Sequence, residues 1–353
     1  MSEKTMTPRP SRLPALSLPA VPLAILIGVV LGGLLVLVSG GNPLDAYWRI
    51  LVGSLAPANW PDTLNWAVPL VGMTIAAAIP LRGGMVNLGG DGQLAIGGFV
   101  AAVLPVMLPQ ILPEAIALPG PVLAALAILA AMLASGLYAA LAALGEVRFG
   151  IPMLISSLLL SYPAIGVTSY FVGFPLRDTT TGLSQTAMIP EGARLMTISG
   201  PLNIGLLMIV AVAALVLYVD RRTVGGYELR MRGLNPRFTA YGGVKPGPQM
   251  LRTLFASGAI AGLVGAIIVL GSLYRFQDGA LLSPGYTWSG LMAALLAGGE
   301  PLGAITAGLF FAALQTGGFA MQRETEIPRV LTMILQAIII LFLAMRHGVG
   351  RRG

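Results

Sequence analysis

An all-α integral membrane protein is the fold class this sequence predicts, and three observations predict it. Of 353 residues, 56% are hydrophobic and only 10% charged, too little polar surface to cover a water-soluble globule of this length. Mean hydropathy is +0.84. Apolar runs near the ~20 residues that a helix needs to cross a bilayer recur along the whole chain, whereas the period-two alternation of a β-barrel is absent.

Taken in order, the apolar runs are Val21–Val38, Leu64–Pro80, Leu94–Leu108, Pro121–Leu144, Ile151–Val172, Ile204–Val219, Thr253–Tyr274, Tyr286–Gly298, Leu302–Ala320 and Ile327–Met345, about ten transmembrane helices. The third and eighth are short and rich in glycine, which suits broken or re-entrant segments buried among other helices. The first follows a basic stretch but leads into Ser39-Gly40-Gly41-Asn42-Pro43 without a small-x-small cleavage signal, so it reads as an uncleaved helix. The whole chain, 1–353, is one transmembrane domain with tails at 1–20 and 346–353 and a large loop at 220–252.

Basic residues orient the bundle. With the N-terminus inside, the cytoplasmic segments hold 15 of the 21 Lys and Arg residues, and the other side keeps Arg49, Arg177, Arg194, Arg275, Arg323 and Arg329 against eight acids. Both termini are therefore expected in the cytoplasm. The net charge of +7 is read as this bias and not as a nucleic-acid surface. The outside loop from about Phe174 to Leu202, rich in Pro, Gly, Thr and Ser, is expected to fold over the outer mouth.

No cysteine occurs and the single histidine, His347, lies in the C-terminal tail, so thiolate or imidazole chemistry and metal binding lack raw material. The two lysines, Lys4 and Lys245, rule out a phosphate loop of the G-x-x-x-x-G-K-[ST] kind. Any ATP that drives this protein is hydrolysed on another chain.

The segment 220–252 carries seven basic residues against Asp220 and Glu228. Inside it a short helix is well punctuated: Asn235 suits the N-cap, Pro236 the first helical position, and Gly242-Gly243 the left-handed stop. Phe238 and Tyr241, three apart, share one face. Such a rod plugs into a partner's groove or lies on lipid headgroups, and spacing admits both.

Arg82-Gly83-Gly84-Met85-Val86-Asn87-Leu88-Gly89-Gly90-Asp91-Gly92-Gln93 is too polar and too glycine-rich for a helix bathed in lipid and belongs inside the bundle or along a cavity. Asp91 and Gln93 stand where a helix begins, a place that favours a carboxylate and offers free N–H groups. Asn87 and Asp91 also suit simple helix caps. The glycines lack the G-x-G-x-x-G spacing of a dinucleotide site.

Four blocks resemble a known family in its order. They are Ser39-Gly40-Gly41-Asn42-Pro43-Leu44-Asp45-Ala46-Tyr47, then Arg82 to Gly98, then Gly225 to Gly243 around Gly233-Leu234-Asn235-Pro236-Arg237, and finally Leu282-Ser283-Pro284-Gly285-Tyr286 through Pro301-Leu302-Gly303. The chain resembles, over nearly its whole length, the permease subunits of ABC importers for simple sugars and purine nucleosides, related to the ribose and branched-chain amino-acid permeases. One departure is that the family's Asn-x-Gly-Ala/Gly-Glu-Gly-Gln reads here with Asp91 in place of the glutamate.

The resemblance implies a bacterial inner-membrane protein that pairs with a second homologous permease. It implies an ATPase subunit with two nucleotide-binding modules, and an extracytoplasmic solute-binding lipoprotein that delivers a small neutral solute. It also implies that Gly233, Asn235, Pro236, Arg237, Phe238, Tyr241 and Gly242 form the element that couples to the ATPase. No cofactor of its own is implied.

A neutral hydroxylated or heteroaromatic solute needs hydrogen-bonding groups and flat apolar walls. Candidate pathway residues are Asn87, Asp91, Gln93, Phe99, Tyr162, Tyr286 and Trp288, each of which also suits core packing or interface anchoring. Asn87 and Gln93 lead because irregular backbone at membrane depth is what transporters use for binding. A proton-coupled transporter would want intramembrane carboxylates, yet Asp91, Glu146 and Glu300 stand at span ends. An enzyme acting on lipid-linked sugars would want clustered acids, which are missing.

Overall fold

A computed structural model describes residues 20–111, 118–325 and Ile334. The chain is a helical bundle: α1 (Ala20–Val38), α2 (Pro43–Leu55), α3 (Trp60–Arg82), α4 (Gly90–Ile111), α5 (Gly120–Phe149) and α6 (Met153–Gly173) precede a loop holding a small hairpin, β1 (Thr197–Ser199) with β2 (Leu202–Asn203). There follow α7 (Gly205–Arg222), α8 (Val224–Leu234), α9 (Pro236–Tyr241), α10 (Pro246–Ile268), α11 (Tyr286–Leu296) and α12 (Pro301–Glu324).

Among the described residues six helical stretches are long and apolar enough to cross a membrane: 57–82, 90–111, 120–149, 153–173, 246–273 and 301–324. α1 and α2 make a seventh only if counted as one span, since they meet at a bend of 118°. Of the other expected spans, α7 carries Asp220, Arg221 and Arg222 in its last turn, and α11 is 11 residues long. Ile327–Met345 lies outside the described residues, apart from Ile334.

Two expectations need correction. The third span is neither short nor broken: α4 runs 22 residues through Pro105 and Pro109, and its glycines serve close packing. The large loop holds two helices instead of one, because Thr223 caps α8 through the Gly226 N–H at 3.2 Å despite the helix-weakening Gly225-Gly226. The stretch after the first span is itself helical. Asn42 caps α2 by accepting from the Leu44 N–H at 3.0 Å, with Pro43 opening the helix.

α10 is the central post, packed on α3, α4 and α5. In lipid, helices gain little from mutual apolar burial and associate where small residues let backbones approach. Here Gly97 faces Gly262, Gly265 approaches the Leu94 carbonyl and the Gly98 amide, and Gly258 lies against the backbone of Ser135. Gly290 and Gly308 seat α11 and α12 on α3, while Gly53 and Gly317 close α2 on α12.

Segments that the charge count assigns to one side meet one another. Arg49 bridges Asp45 and Glu324, and Arg275 lies 3.9 Å from Asp178, all assigned outside. Arg82 pairs with Asp220 at 3.1 Å, both assigned inside.

The loop 174–204 is built onto the end of α10. That helix closes in a single π turn, Val269–Leu273, stopped by Tyr274 in the left-handed conformation (φ 56°). Leu195 N–H donates to the Leu270 carbonyl (2.9 Å), Ile189 N–H to Tyr274 (2.8 Å) and Thr186 N–H to Phe276 (2.9 Å). The Arg194 guanidinium sits 4.8 Å over the Tyr274 ring.

Candidate functional site

Two groups of residues stand out, one buried between α4, α6, α10 and α11, the other on the charged loop. In the first, the turn after α3 folds back inside the bundle. Asn87 Oδ1 accepts from the Gly89 N–H (2.9 Å) and from Gln93 Nε2 (3.2 Å), while its Nδ2 donates to Gln93 Oε1 (3.0 Å) and Ser257 Oγ (3.0 Å). Ser257 Oγ in turn donates a hydrogen bond to the Ala76 carbonyl (2.6 Å), Ser135 donates to the Gln93 carbonyl (2.8 Å), and Ser157 Oγ accepts from the Leu88 N–H (3.0 Å). The irregular backbone of the turn is thereby satisfied by side chains, Ser157 of α6 taking the Leu88 amide and Asn87 the Gly89 amide, while Gln93 of α4 and Ser257 of α10 hold the Asn87 side chain.

Glycine is required at this turn. A Cβ on Gly89 would lie 2.7 Å from Gln93 Nε2 and 2.9 Å from the Ser157 carbonyl, and one on Gly92 would lie 2.7 Å from Ser161 Cα. Beside the amides, a void of about 10 Å³, the room of one water-sized sphere, is bounded by Asn87, Gln93, Ser257 and Thr287. Nearby on α6, Ser161 Oγ is buried without a hydrogen-bond partner among the described residues. Asp91, in the first turn of α4, faces Thr287 and Trp288 of α11.

The candidate pathway residues therefore divide. Asn87, Asp91, Gln93 and Trp288 gather at the meeting of α4 and α11, and Trp288 keeps 47% of its surface exposed. Tyr286 turns away to Trp66, ring centroids 5.6 Å apart. Phe99 stands two turns further along α4, against Phe171 (6.0 Å) and Phe276 (5.7 Å). Tyr162 is 67% exposed, next in sequence to buried Ser161 but off the face that meets α4. Ser257 and Thr287 escaped the sequence reading: a lone hydroxyl in an apolar run carries no signal until the partner helix is placed. No cluster of three metal-ligating side chains occurs among the described residues.

On the charged loop the short helix forms as the punctuation predicts. Asn235 caps α9 by accepting from the Phe238 N–H at 3.0 Å, Pro236 is its first residue, and Gly243 (φ 89°) supplies the left-handed stop while Gly242 stays right of it at φ −72°. Phe238 is 60% and Tyr241 91% exposed, aromatic surface left largely uncovered among the described residues. Arg237 is exposed beside them.

α8 carries this helix and rests on the turn after α3. A Cβ on Gly233 would overlap the Arg82 carbonyl oxygen, one on Gly83 would lie 2.5 Å from Leu229 Cδ1, and the Arg82 side chain holds Asp220 at the end of α7. The loop helices and the Asn87 turn thus share one anchor.

The chain matches the family described as the permease component of branched-chain amino acid transport systems over residues 61–344. It belongs to this permease family. The permease is 30% identical over 334 residues to the glucose ABC transporter permease protein of Haloferax volcanii, covering 91% of this chain and 85% of the relative. It is 28% identical over 338 residues to the guanosine ABC transporter permease protein of Bacillus subtilis, covering 93% of each. It is also 29% identical over 334 residues to the nucleoside ABC transporter permease protein of Lactococcus lactis, covering 92% and 90%. The permease is an ABC importer subunit of the sugar and nucleoside type and a multi-pass membrane protein.

Proposed function

We propose that this permease moves a purine nucleoside into a bacterial cell across the inner membrane, by alternating access powered on a separate ATPase subunit. The observation that carries the substrate class is the buried set of neutral hydrogen-bonding groups, Asn87, Gln93, Ser257, Ser161 and Thr287, beside the flat ring of Trp288. Here these amides bond one another around a one-water void, and opening of the bundle frees them for the edge of a purine and the hydroxyls of a ribose, with an indole face for the base. Relatives named for guanosine and for nucleosides support this choice, and the glucose relative supports a simple-sugar permease as the second reading.

The whole chain acts as one permease domain. The positive bias of the 220–252 segment supports a cytoplasmic coupling loop and cytoplasmic termini. α9 with its exposed Phe238 and Tyr241 inserts into the ATPase, whose two nucleotide-binding modules close on ATP. A push on α9 reaches Gly233, then the Arg82 turn, then Asn87, so that closure of the ATPase alters the packing around the neutral cluster. A second homologous permease completes the channel, and the outer loop, built on the end of α10, receives the solute-binding lipoprotein. No cofactor is needed on this chain.

The test is uptake of radiolabelled guanosine, adenosine, ribose and glucose into vesicles carrying the permease with its partner subunits. ATP-dependent guanosine or adenosine uptake supports the reading. Uptake confined to ribose or glucose moves the substrate to the sugar class, and uptake driven by an ion gradient without ATP contradicts it.

A further inference from the structure

A cavity of about 770 Å³ lies away from the Asn87 cluster, between α7 and α10, with α5 and α3 behind it. Its walls are apolar: Met132, Val212, Val216, Ala256, Ala259 and Ile260. Its mouth is ionic. The Arg82 and Asp220 pair neutralises itself there, and Lys245 and Arg252 stand exposed without an ion pair among the described residues, against the single charge of Glu228.

The depth of the slot identifies its occupant. From Pro248 at the mouth to Ile260 is 12 residues of α10, about 18 Å at ~1.5 Å per residue. That is close to one leaflet, half of the ~30 Å hydrocarbon core. One end lies at the level of the charged loop and the other near the middle of α5, α7 and α10. A polar solute has no use for an apolar slot one leaflet deep with its only charges at the rim. A lipid has this shape and this charge order.

We propose that the slot seats one acyl chain of an anionic phospholipid whose phosphate is held by Lys245 and Arg252. The assignment rests on the membrane-spanning fold and is independent of which solute is carried. Basic side chains near the membrane surface each contribute on the order of a fivefold gain in affinity for anionic lipid, so two contribute roughly 30-fold.

The experiment uses the full-length permease in nanodiscs of equal phosphatidylglycerol and phosphatidylcholine, followed by mild detergent extraction and mass analysis of the lipid retained. The wild type is expected to keep phosphatidylglycerol selectively, and Lys245→Gln with Arg252→Gln to lose that selectivity about 30-fold. Ala256→Phe, which fills the slot from its wall, is expected to abolish retention with both charges in place. Equal retention of the two lipids by the wild type overturns the proposal. So does selectivity that survives either variant, or guanosine displacing the retained lipid.

Discussion

Gly233 lies against the backbone carbonyl of Arg82 so closely that a Cβ at position 233 would overlap the oxygen. The contact joins the helix that carries α9 to the turn that carries Asn87, and it admits no side chain. Gly233→Ala must push α8 off α3, at a cost of about 1–3 kcal/mol. The expected outcome is a lower unfolding temperature in detergent and solute-stimulated ATPase activity reduced several-fold in the assembled transporter. Gly225→Ala is the control, because a Cβ there meets nothing within 4 Å and alanine favours the helix. It should lower neither readout.

The Arg82 and Asp220 pair holds the same anchor from the α7 side, with Asp220 9% and Arg82 25% exposed. Asp220→Asn leaves a partly buried guanidinium with a neutral partner. Breaking a fully buried pair costs about 3–5 kcal/mol, and the exposure of Arg82 reduces this to roughly 1–3 kcal/mol. A double-mutant cycle with Arg82→Ala should return a coupling energy above about 0.5 kcal/mol. Additive losses would mean that the two side chains do not hold one another.

Within the buried cluster, Asn87→Leu removes the acceptor of the Gly89 amide and the partner of Ser257 and Gln93 together. Each polar group left unpaired costs about 1–3 kcal/mol, so a substantial loss of stability is expected. Ser257→Ala removes one hydroxyl at the edge of the same network and is expected to cost about 1 kcal/mol while lowering solute affinity. Thermal unfolding together with equilibrium binding of labelled guanosine separates the two effects. Unchanged binding in folded Ser257→Ala protein would place the solute elsewhere.

Asp178 ties the loop 174–204. Its carboxylate accepts from the Thr180 hydroxyl (2.6 Å) and backbone N–H (3.0 Å) and faces Arg275, and these contacts, the hydroxyl first, hold its carboxyl below the usual carboxylate range. A group depressed in the folded state stabilises fully above its unfolded value, about 4, and loses that contribution as pH falls through the folded one. Protease cleavage within 174–204 should therefore rise as pH drops below about 4, and Asp178→Asn should be cut at every pH. A flat profile in the wild type would contradict this.

Much of this molecule is legible in its sequence because bilayer physics constrains it tightly. Apolar runs locate the long helices α3, α5, α10 and α12, and the Asn235-Pro236 cap with Gly242-Gly243 locates α9, since both signals are local. α8 was hidden by Gly225 and Gly226, which break the pattern of an isolated helix but here lie where Gly226 packs against the end of α7. The Asn87 turn is visible as polarity in the wrong place. Its partners Ser257, Ser135 and Thr287 belong to three other helices and become recognisable only once helix rotation is fixed. Phe99, Tyr162 and Tyr286 show the converse: residue type alone does not say which way a helix turns.

We propose that α9 is the point at which the ATPase drives the permease. The most direct measurement is the amount of ATPase subunit recovered with membrane-inserted permease, for the wild type and for Phe238→Asp with Tyr241→Asp. The double variant is expected to insert normally and to lose the ATPase by at least tenfold, because two exposed rings proposed to anchor in the ATPase become charges. Undiminished recovery of the ATPase would contradict it.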